Sequence, residues 1–305
     1  MSDICHLSFL IENTEITLYF TLSQFVSYND ELSFPHKHAM HEMFILIDGE
    51  LCIESDFSTI NMKNSDICII PPLTYHSTYR IKEVPTKRIS MFFTYKKNET
   101  IETDFDFYNF ISVLSKKDSV PISLSADPVI INNLVNVLLS VNSQSIPKLK
   151  EVKIKNILSL LFINFAESLS HESNNLYEPY GKSAEYYLRL ANLDALLNEC
   201  FNEKNKFCLN VSLMSEKMFL SSRQLLNIIN NEYSTSLKNF NHEKRIRLAK
   251  FLLEHFPEMS VSQISHSCGY SSPETLSIIF KKQYGFSPLK FRNSLDLEAL
   301  AKIIK

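Results

Sequence analysis

Two stretches in the C-terminal part of the chain repeat each other, and this repeat restricts the fold there more than any other feature. Val211, Met214 and Ser215 match Val261, Ile264 and Ser265 at an offset of 50, and beyond a short turn Leu225, Ile229 and Asn230 match Leu276, Phe280 and Lys281 at an offset of 51. One extra residue in the second turn, where Gly269 lies, accounts for the change. In each copy a polar cap, Asn210 or Ser260, precedes a short helix with one apolar face. A tight turn follows, Met218-Phe219-Leu220 in the first copy and Cys268-Gly269-Tyr270 in the second, and Ser221 or Ser272 caps a second helix. Pro273 stands at the first position of its helix, where its missing N–H costs nothing. The small residues Ser215 and Ser265 fall where the helices of each unit cross closely. Short helix, tight turn and second helix form the layout that places a helix in a major groove.

Between the copies, about Leu237 to Phe256, the spacing of Ile246, Ala249, Leu252 and Leu253 predicts a long helix with one apolar stripe. Its other side carries Lys244, Arg245, Arg247 and Lys250, which read equally as a solvated basic face or as phosphate contacts. A rigid helix of this kind fixes the separation of two reading heads. The closing run Ile264-Ser265-x3-Gly269-Tyr270-Ser271-Ser272-x3-Leu276-x3-Phe280-Lys281-Lys282-x-Tyr284-Gly285-x-Ser287-Pro288-x2-Phe291-Arg292 is close to a family signature. With its degenerate upstream copy, the segment from about Tyr186 to Asn293 resembles the DNA-binding domain of AraC/XylS transcription regulators.

The resemblance implies a sequence-specific DNA-binding regulator, an activator in most of that family, and not an enzyme. It places candidate DNA contacts at Ser222, Arg223, Gln224 and Asn227 in the first recognition helix, at Arg245 in the connecting helix, and at Glu274, Thr275, Ser277, Lys281 and Lys282 in the second. The sequence departs from the family pattern at Asn227 and Ile278, where a basic residue is common. Arg223 is the obvious guanine reader, Glu274 can accept from a cytosine amino group, and Ile278 offers only apolar contact. The expectation is that the first helix carries most base readout while the second grips phosphate through Lys281, Lys282 and its capped end.

The N-terminal half is different in kind. Short β-rich runs such as Glu15–Phe20, Ile67–Ile70 and Arg88–Tyr95 are separated by polar or Pro turns over residues 8 to 95, which suggests a small barrel or sandwich. Asp48-Gly49 between apolar runs is a hairpin signal of type I′. Helices are expected from Pro128 through Leu138-Leu139, and from about Leu149 to Leu169. The second of these has an apolar stripe (Val152, Ile154, Ile157, Leu158, Leu161, Phe162, Phe165) wide enough for a dimer surface or for packing on the barrel. The expected organisation is α+β in two domains. Residues 1–170 form a cupin-like barrel (about 8–95) with following helices (about 128–170), 171–183 a linker with Pro179 and Gly181, and 184–305 an all-α domain with two helix-turn-helix units joined by a long helix.

His36-Lys37-His38-x3-Glu42, then Gly49, and later Pro71-Pro72-x3-His76 resemble the two cupin motifs, with Leu73 where a glycine is common. His36, His38, Glu42 and His76 are the candidate pocket residues; such a set suits a divalent transition metal, but in regulators of this type the same positions line or plug a pocket, so no metal and no cofactor are expected. Two other readings stay open: a metal-dependent cupin enzyme with a helical appendage, and a regulator acting mainly through protein partners.

Composition agrees with these expectations. Residues 182–305 carry a surplus of five positive charges and residues 1–181 a surplus of eight negative ones, so only the C-terminal part is expected to meet a polyanion. The six cysteines (5, 52, 68, 200, 208, 268) form no C-x-x-C pair and read as reduced core residues. No signal-peptide pattern opens the chain and no apolar run is long enough to span a membrane. The expected setting is cytoplasmic. The expected partners are double-stranded promoter DNA, RNA polymerase, a small-molecule effector and a second copy of the chain.

Overall fold

The computed structural model describes residues 4–21, 27–29, 33–81, 86–103, 106–112, 121–139, 148–168, 182–199 and 210–303. By their contacts the residues divide into two compact units, 1–33 with 37–194, and 34–36 with 195–305. Most of the expected linker, 171–183, lies outside the described residues, as do the side chains of Leu138, Leu139, Cys5, Cys200 and Cys208.

In the first unit, alternation of apolar and polar residues gives the strands β1 (Ile4–Ile11), β2 (Thr14–Thr21), β3 (Ser27–Asn29), β4 (Ser33–His36), β5 (His41–Asp48), β6 (Leu51–Ser55), β7 (Thr59–Met62), β8 (Asp66–Ile70), β9 (His76–Arg80) and β10 (Thr86–Lys97). A short helix α1 (Phe107–Ser112) and strand β11 (Ile122–Ser125) follow. Neither was legible in the sequence, since each is brief and lacks a repeat of apolar spacing. One antiparallel sheet runs β1-β2-β10-β5-β8-β11 with β3 also on β10, and a second runs β4-β9-β6-β7. The two share a core in which Phe44, Leu46, Leu51, Ile53, Met62, Cys68 and Ile70 pack together from β5 to β8. This is the two-sheet form of the expected barrel-like fold.

The Asp48-Gly49 hairpin is a correction. β5 pairs with β10 and β8 in one sheet, whereas β6 pairs with β7 and β9 in the other. Gly49 has φ +95°, but Asp48 is not left-handed, so no type I′ turn forms. The Asp48 carboxylate instead accepts the Gly49 N–H at 3.0 Å, and the turn carries the chain from one sheet to the next.

Helices α2 (Pro128–Leu139) and α3 (Lys148–Ser168) lie close to the expected ranges. Along α3, Ile154, Leu158, Leu161, Phe162 and Phe165 are buried. The Phe162 ring stands 5.1 Å from Phe93 and 6.1 Å from Phe9, so this face packs on the outer side of the larger sheet. Burial of each such side chain stabilises by about 1.5–3 kcal/mol. The stripe is wider than that contact: Leu149, Val152, Leu160 and Ile163 remain exposed on α3. Helix α4 (Ala184–Glu199) contributes residues to both units, the division falling after Asp194.

The second unit is helical: α5 (Val211–Lys217), α6 (Ser222–Tyr233), α7 (Leu237–His255), α8 (Val261–Ser267), α9 (Pro273–Tyr284) and α10 (Pro288–Ile303). Its core is drawn from Leu225, Ile229, Phe240, Ile246, Ala249, Leu253, Ile264, Leu276 and Phe280, all 1 % exposed or less. All but Phe240 are among the apolar positions whose spacing predicted the helices. Among the described residues no helix is long and apolar enough to cross a membrane.

Candidate nucleic-acid interface

The two copies of the repeat fold alike because their ends are fixed in the same way. Asn210 Oδ1 accepts the N–H groups of Ser212 and Leu213 at 3.0 and 3.2 Å, opening α5. Ser260 Oγ accepts Gln263 N–H at 3.2 Å, opening α8. Ser221 and Ser272 do the same for α6 and α9, accepting from Gln224 and Thr275 at 3.3 and 3.2 Å. Each cap satisfies N–H groups that a helix start leaves orphaned, and each contributes about 1 kcal/mol. The turns also match. Phe219 N–H donates to Glu216 O and Leu220 N–H to Ser215 O; Gly269 N–H donates to His266 O and Tyr270 N–H to Ser265 O. Ser215 and Ser265 are buried at the crossings, as their size predicts.

The repeat runs further than sequence comparison revealed. At the offset of 51, Ser234 and Gly285 both end their helices in left-handed backbone, with φ of +51° and +83°. Ser236 and Ser287 then open α7 and α10, accepting N–H groups of Asn239 and Lys290. Phe240 and Phe291 follow, each in ring contact with the last residue of the preceding helix, Tyr233 at 5.0 Å and Tyr284 at 6.4 Å.

In α6 the buried face is Leu225, Ile229 and Tyr233, so Ser222, Arg223, Gln224 and Asn227 are all exposed. Gln224 is partly committed: its Oε1 accepts the Ser221 N–H at 2.9 Å in a capping box, which leaves its NH2 group pointing outward to donate. Ser222 Oγ lies 3.3 Å from Ser215 Oγ. In α9, Glu274, Ile278, Lys281 and Lys282 are exposed, while Thr275 and Ser277 are half-buried. The Glu274 carboxyl is held below its usual range by its own backbone N–H and the Ser272 hydroxyl at the helix start. Thr275 Oγ1 is 3.2 Å from Ser272 Oγ.

The basic side of α7 is mostly engaged internally. Arg245 donates from Nε to Cys268 O at 2.7 Å and from a terminal nitrogen to Gly269 O, and lies 4.1 Å over the Tyr270 ring. It clamps the turn between α8 and α9. Lys244 is buried, with Nζ 3.3 Å from Leu197 O, which corrects its assignment to an outer face. Arg247 pairs with Glu243 and Lys250 with Glu254, one turn away in each case. Arg292, on α10, donates to Met259 O at 2.6 Å and to Phe256 O at 3.4 Å.

In the first unit His38, Glu42 and His76 do come together. His76 Nε2 is 2.9 Å and His38 Nε2 3.3 Å from the same Glu42 oxygen, Oε2. Ser90 donates to Glu42 Oε1 at 2.7 Å. Asp194, which sequence reasoning missed, sits 3.9 Å from His38 on α4 and is 1 % exposed. Burial works against the charged form of His38, but Glu42 and Asp194 outweigh it and raise its pKa to about 9. The same pairing holds Glu42 well below the usual carboxylate range despite burial. His38, Glu42 and His76 are the residues here with the donor atoms for a divalent metal, but a metal on His38 must displace a tightly held proton. His36 is grouped with the other unit, and its Nδ1 is 2.7 Å from Phe34 O. A separate open groove of about 530 Å³ lies between α2 and α3, lined by Asn133, Asn136, Val137, Lys153, Asn156 and Ile157. None of the predicted pocket residues lines it.

Comparison with known proteins agrees with the geometry of the second unit. Residues 214–294 match a family model described as a helix-turn-helix domain. The Msm operon regulatory protein of Streptococcus mutans is 33 % identical over 88 residues, covering 29 % of this chain and 31 % of the relative. The probable transcriptional regulator LumQ of Photobacterium leiognathi is 26 % identical over 145 residues, covering 48 % and 55 %. The chain thus spans only about a third to about half the length of these curated relatives. Among solved structures, apo ToxT from Vibrio cholerae aligns over 93 % of this chain and 98 % of its own at 10 % identity, with a TM-score of 0.38. Cap for cap and turn for turn, residues 214–294 of this chain are a helix-turn-helix domain of the AraC/XylS type.

Proposed function

We propose that the chain is a sequence-specific DNA-binding transcription regulator of the activator kind, working in the cytoplasm without catalysing a reaction. The observation that carries this reading is the pair of capped second helices, α6 and α9, in one compact unit. Both keep their polar faces exposed, and α7 runs between them in the chain. Arg223 and Asn227 read bases from α6, Lys281 and Lys282 grip phosphate from the end of α9, and Glu274 adds a contact at the α9 start. Arg245 acts by shaping the second turn. The first unit serves as sensory and dimerisation domain: the exposed apolar residues of α3 pair with a second copy, and the interior between the sheets takes a small-molecule effector. The effector acts through different affinities for the arrangements that do and do not engage DNA. RNA polymerase is the protein partner at the promoter.

The test is a titration of the full chain against fragments of its own genome at several salt concentrations. A specific complex should stand above a salt-sensitive non-specific background, and Arg223→Ala should weaken it by about 1–3 kcal/mol while relaxing sequence preference. Salt-sensitive binding with no preferred fragment would favour a regulator that acts through protein partners. No DNA binding, with stoichiometric metal in protein purified without a histidine tag, would favour the enzyme reading.

A further inference from the structure

The interior between the two sheets contains a guanidinium, that of Arg88, which forms no ion pair among the described residues. Arg88 lies on β10 opposite Leu46 of β5, and strand alternation puts Arg88, Ser90 and Phe92 on one face. Ser90 and Phe92 reach the buried Glu42 and His38, which marks that face as the inner one. The Arg88 side chain crosses to the second sheet, where Nη1 donates to Thr78 Oγ1 at 3.0 Å, and it lies 5.0 Å over the Phe44 ring. It is 7 % exposed.

A guanidinium offers five N–H donors in a rigid fork. Among the described residues Thr78 accepts one of them. The acid whose field reaches Arg88 is Glu42, but both of its oxygens are already engaged, by His76 and by Ser90, and it forms no ion pair with Arg88. Burial pulls the Arg88 pKa down, the mark of a cation short of compensation. A charge buried in this state is costly, and a chain that keeps one gains from it when an anion arrives. Phe44, beneath the guanidinium, belongs to the buried apolar cluster with Leu46 and Ile53.

We infer that Arg88 is the anchor of an internal ligand site for a small organic acid, whose carboxylate forms a bidentate pair with the guanidinium and whose apolar body lies against Phe44. This deepens the effector reading by giving the effector a chemical class, and it rests on that reading only in placing a ligand in the first unit. A carboxylate suits the fork geometry, in which two parallel N–H groups meet two oxygens.

The experiment is thermal unfolding of the full chain with octanoate and benzoate as probes, with octanol and benzyl alcohol as their uncharged counterparts and inorganic phosphate as a bare anion. A carboxylate probe should raise the midpoint by about 5 °C at a hundredfold excess over its Kd, and its alcohol should not. R88M should abolish the shift, and the ligand-free R88M protein should itself melt higher than the parent. R88K, which keeps the charge but loses the fork, should bind at least tenfold more weakly. The inference is overturned if neither carboxylate shifts the parent, if R88M responds as the parent does, or if phosphate alone gives the full shift. It is also overturned if ligand-free R88M melts lower, because the guanidinium is then a structural strut. No DNA is present in these measurements, so a failure of DNA binding leaves them unaffected.

Discussion

Phe219 and Gly269 occupy the same place in the two turns, and both take left-handed backbone, with φ of +53° and +71°. Glycine adopts this conformation without penalty, whereas a side chain with a Cβ is strained by roughly 1–2 kcal/mol. Phe219 gains nothing back from burial, since it is 83 % exposed. Replacing it with glycine removes the strain but adds freedom to the unfolded chain, so Phe219→Gly should stabilise by at most about 1 kcal/mol. Gly269→Val should cost about 2 kcal/mol. Opposite shifts of the thermal midpoint, followed by circular dichroism, check the equivalence; two shifts of the same sign would contradict it.

Arg245 distinguishes a DNA contact from a brace. Its bonds to Cys268 O and Gly269 O and its stacking on Tyr270 are interactions within the unit. Hydrogen bonds from a charged donor contribute about 1.5–3 kcal/mol. Arg245→Ala should therefore lower stability by about that amount. The salt dependence of DNA affinity should keep its slope, because no phosphate contact is lost. A stable variant with a slope reduced by about 1 would return Arg245 to the list of phosphate contacts.

Much of the second unit was legible because its determinants are local. A serine that caps a helix, a proline at the first helical position and apolar residues three and four apart act within one or two turns, and all stand where the spacing put them. Determinants that act across the chain were hidden. Nothing in the identity of Phe219 signals positive φ. Nothing near Lys244 announces that its amine bonds Leu197 O, 47 positions away. Asp194 joins His38 across an even longer interval, and only the folded strands reveal Arg88 as an inner residue. The Asp48-Gly49 signal fails for the same reason: the turn is local, but β5 and β6 find their partners in different sheets.

The His38 cluster should make stability depend on alkaline pH in a definite direction. The folded-state pKa of His38, about 9, lies above the ordinary value of 6.5. Its contribution is complete below about 6.5 and is lost as pH rises through about 9. Glu42 acts at the other end: its lowered pKa stabilises above about 4.5 and that contribution fades as pH falls. The unfolding free energy of the parent, from urea titrations, should decline between neutrality and pH 9.5 by on the order of 2 kcal/mol from this source. The buried thiols of Cys68 and Cys268, pushed up by burial, add their own loss above about 9. His38→Gln isolates the histidine: it should be less stable at neutral pH and show a flatter alkaline limb. An alkaline decline of unchanged size in that variant would remove His38 as its cause.

The two recognition helices should divide the work of binding, and the division can be measured. α6 presents Arg223, which can reach two acceptors of a guanine. α9 presents Ile278, 72 % exposed and without hydrogen-bonding capacity, and places Lys281 and Lys282 in its last turn. Neither lysine has an acidic neighbour one helical turn earlier, at Ser277 or Ile278. Lys281→Ala and Lys282→Ala should weaken binding by similar factors on preferred and random DNA, and each should reduce the salt slope by about 1. Arg223→Ala should instead weaken preferred sites most and leave random DNA nearly unaffected. If Glu274→Ala erased sequence preference while Arg223→Ala did not, base reading would belong to α9, and the lysines beside it would be positioning that helix rather than merely holding the duplex.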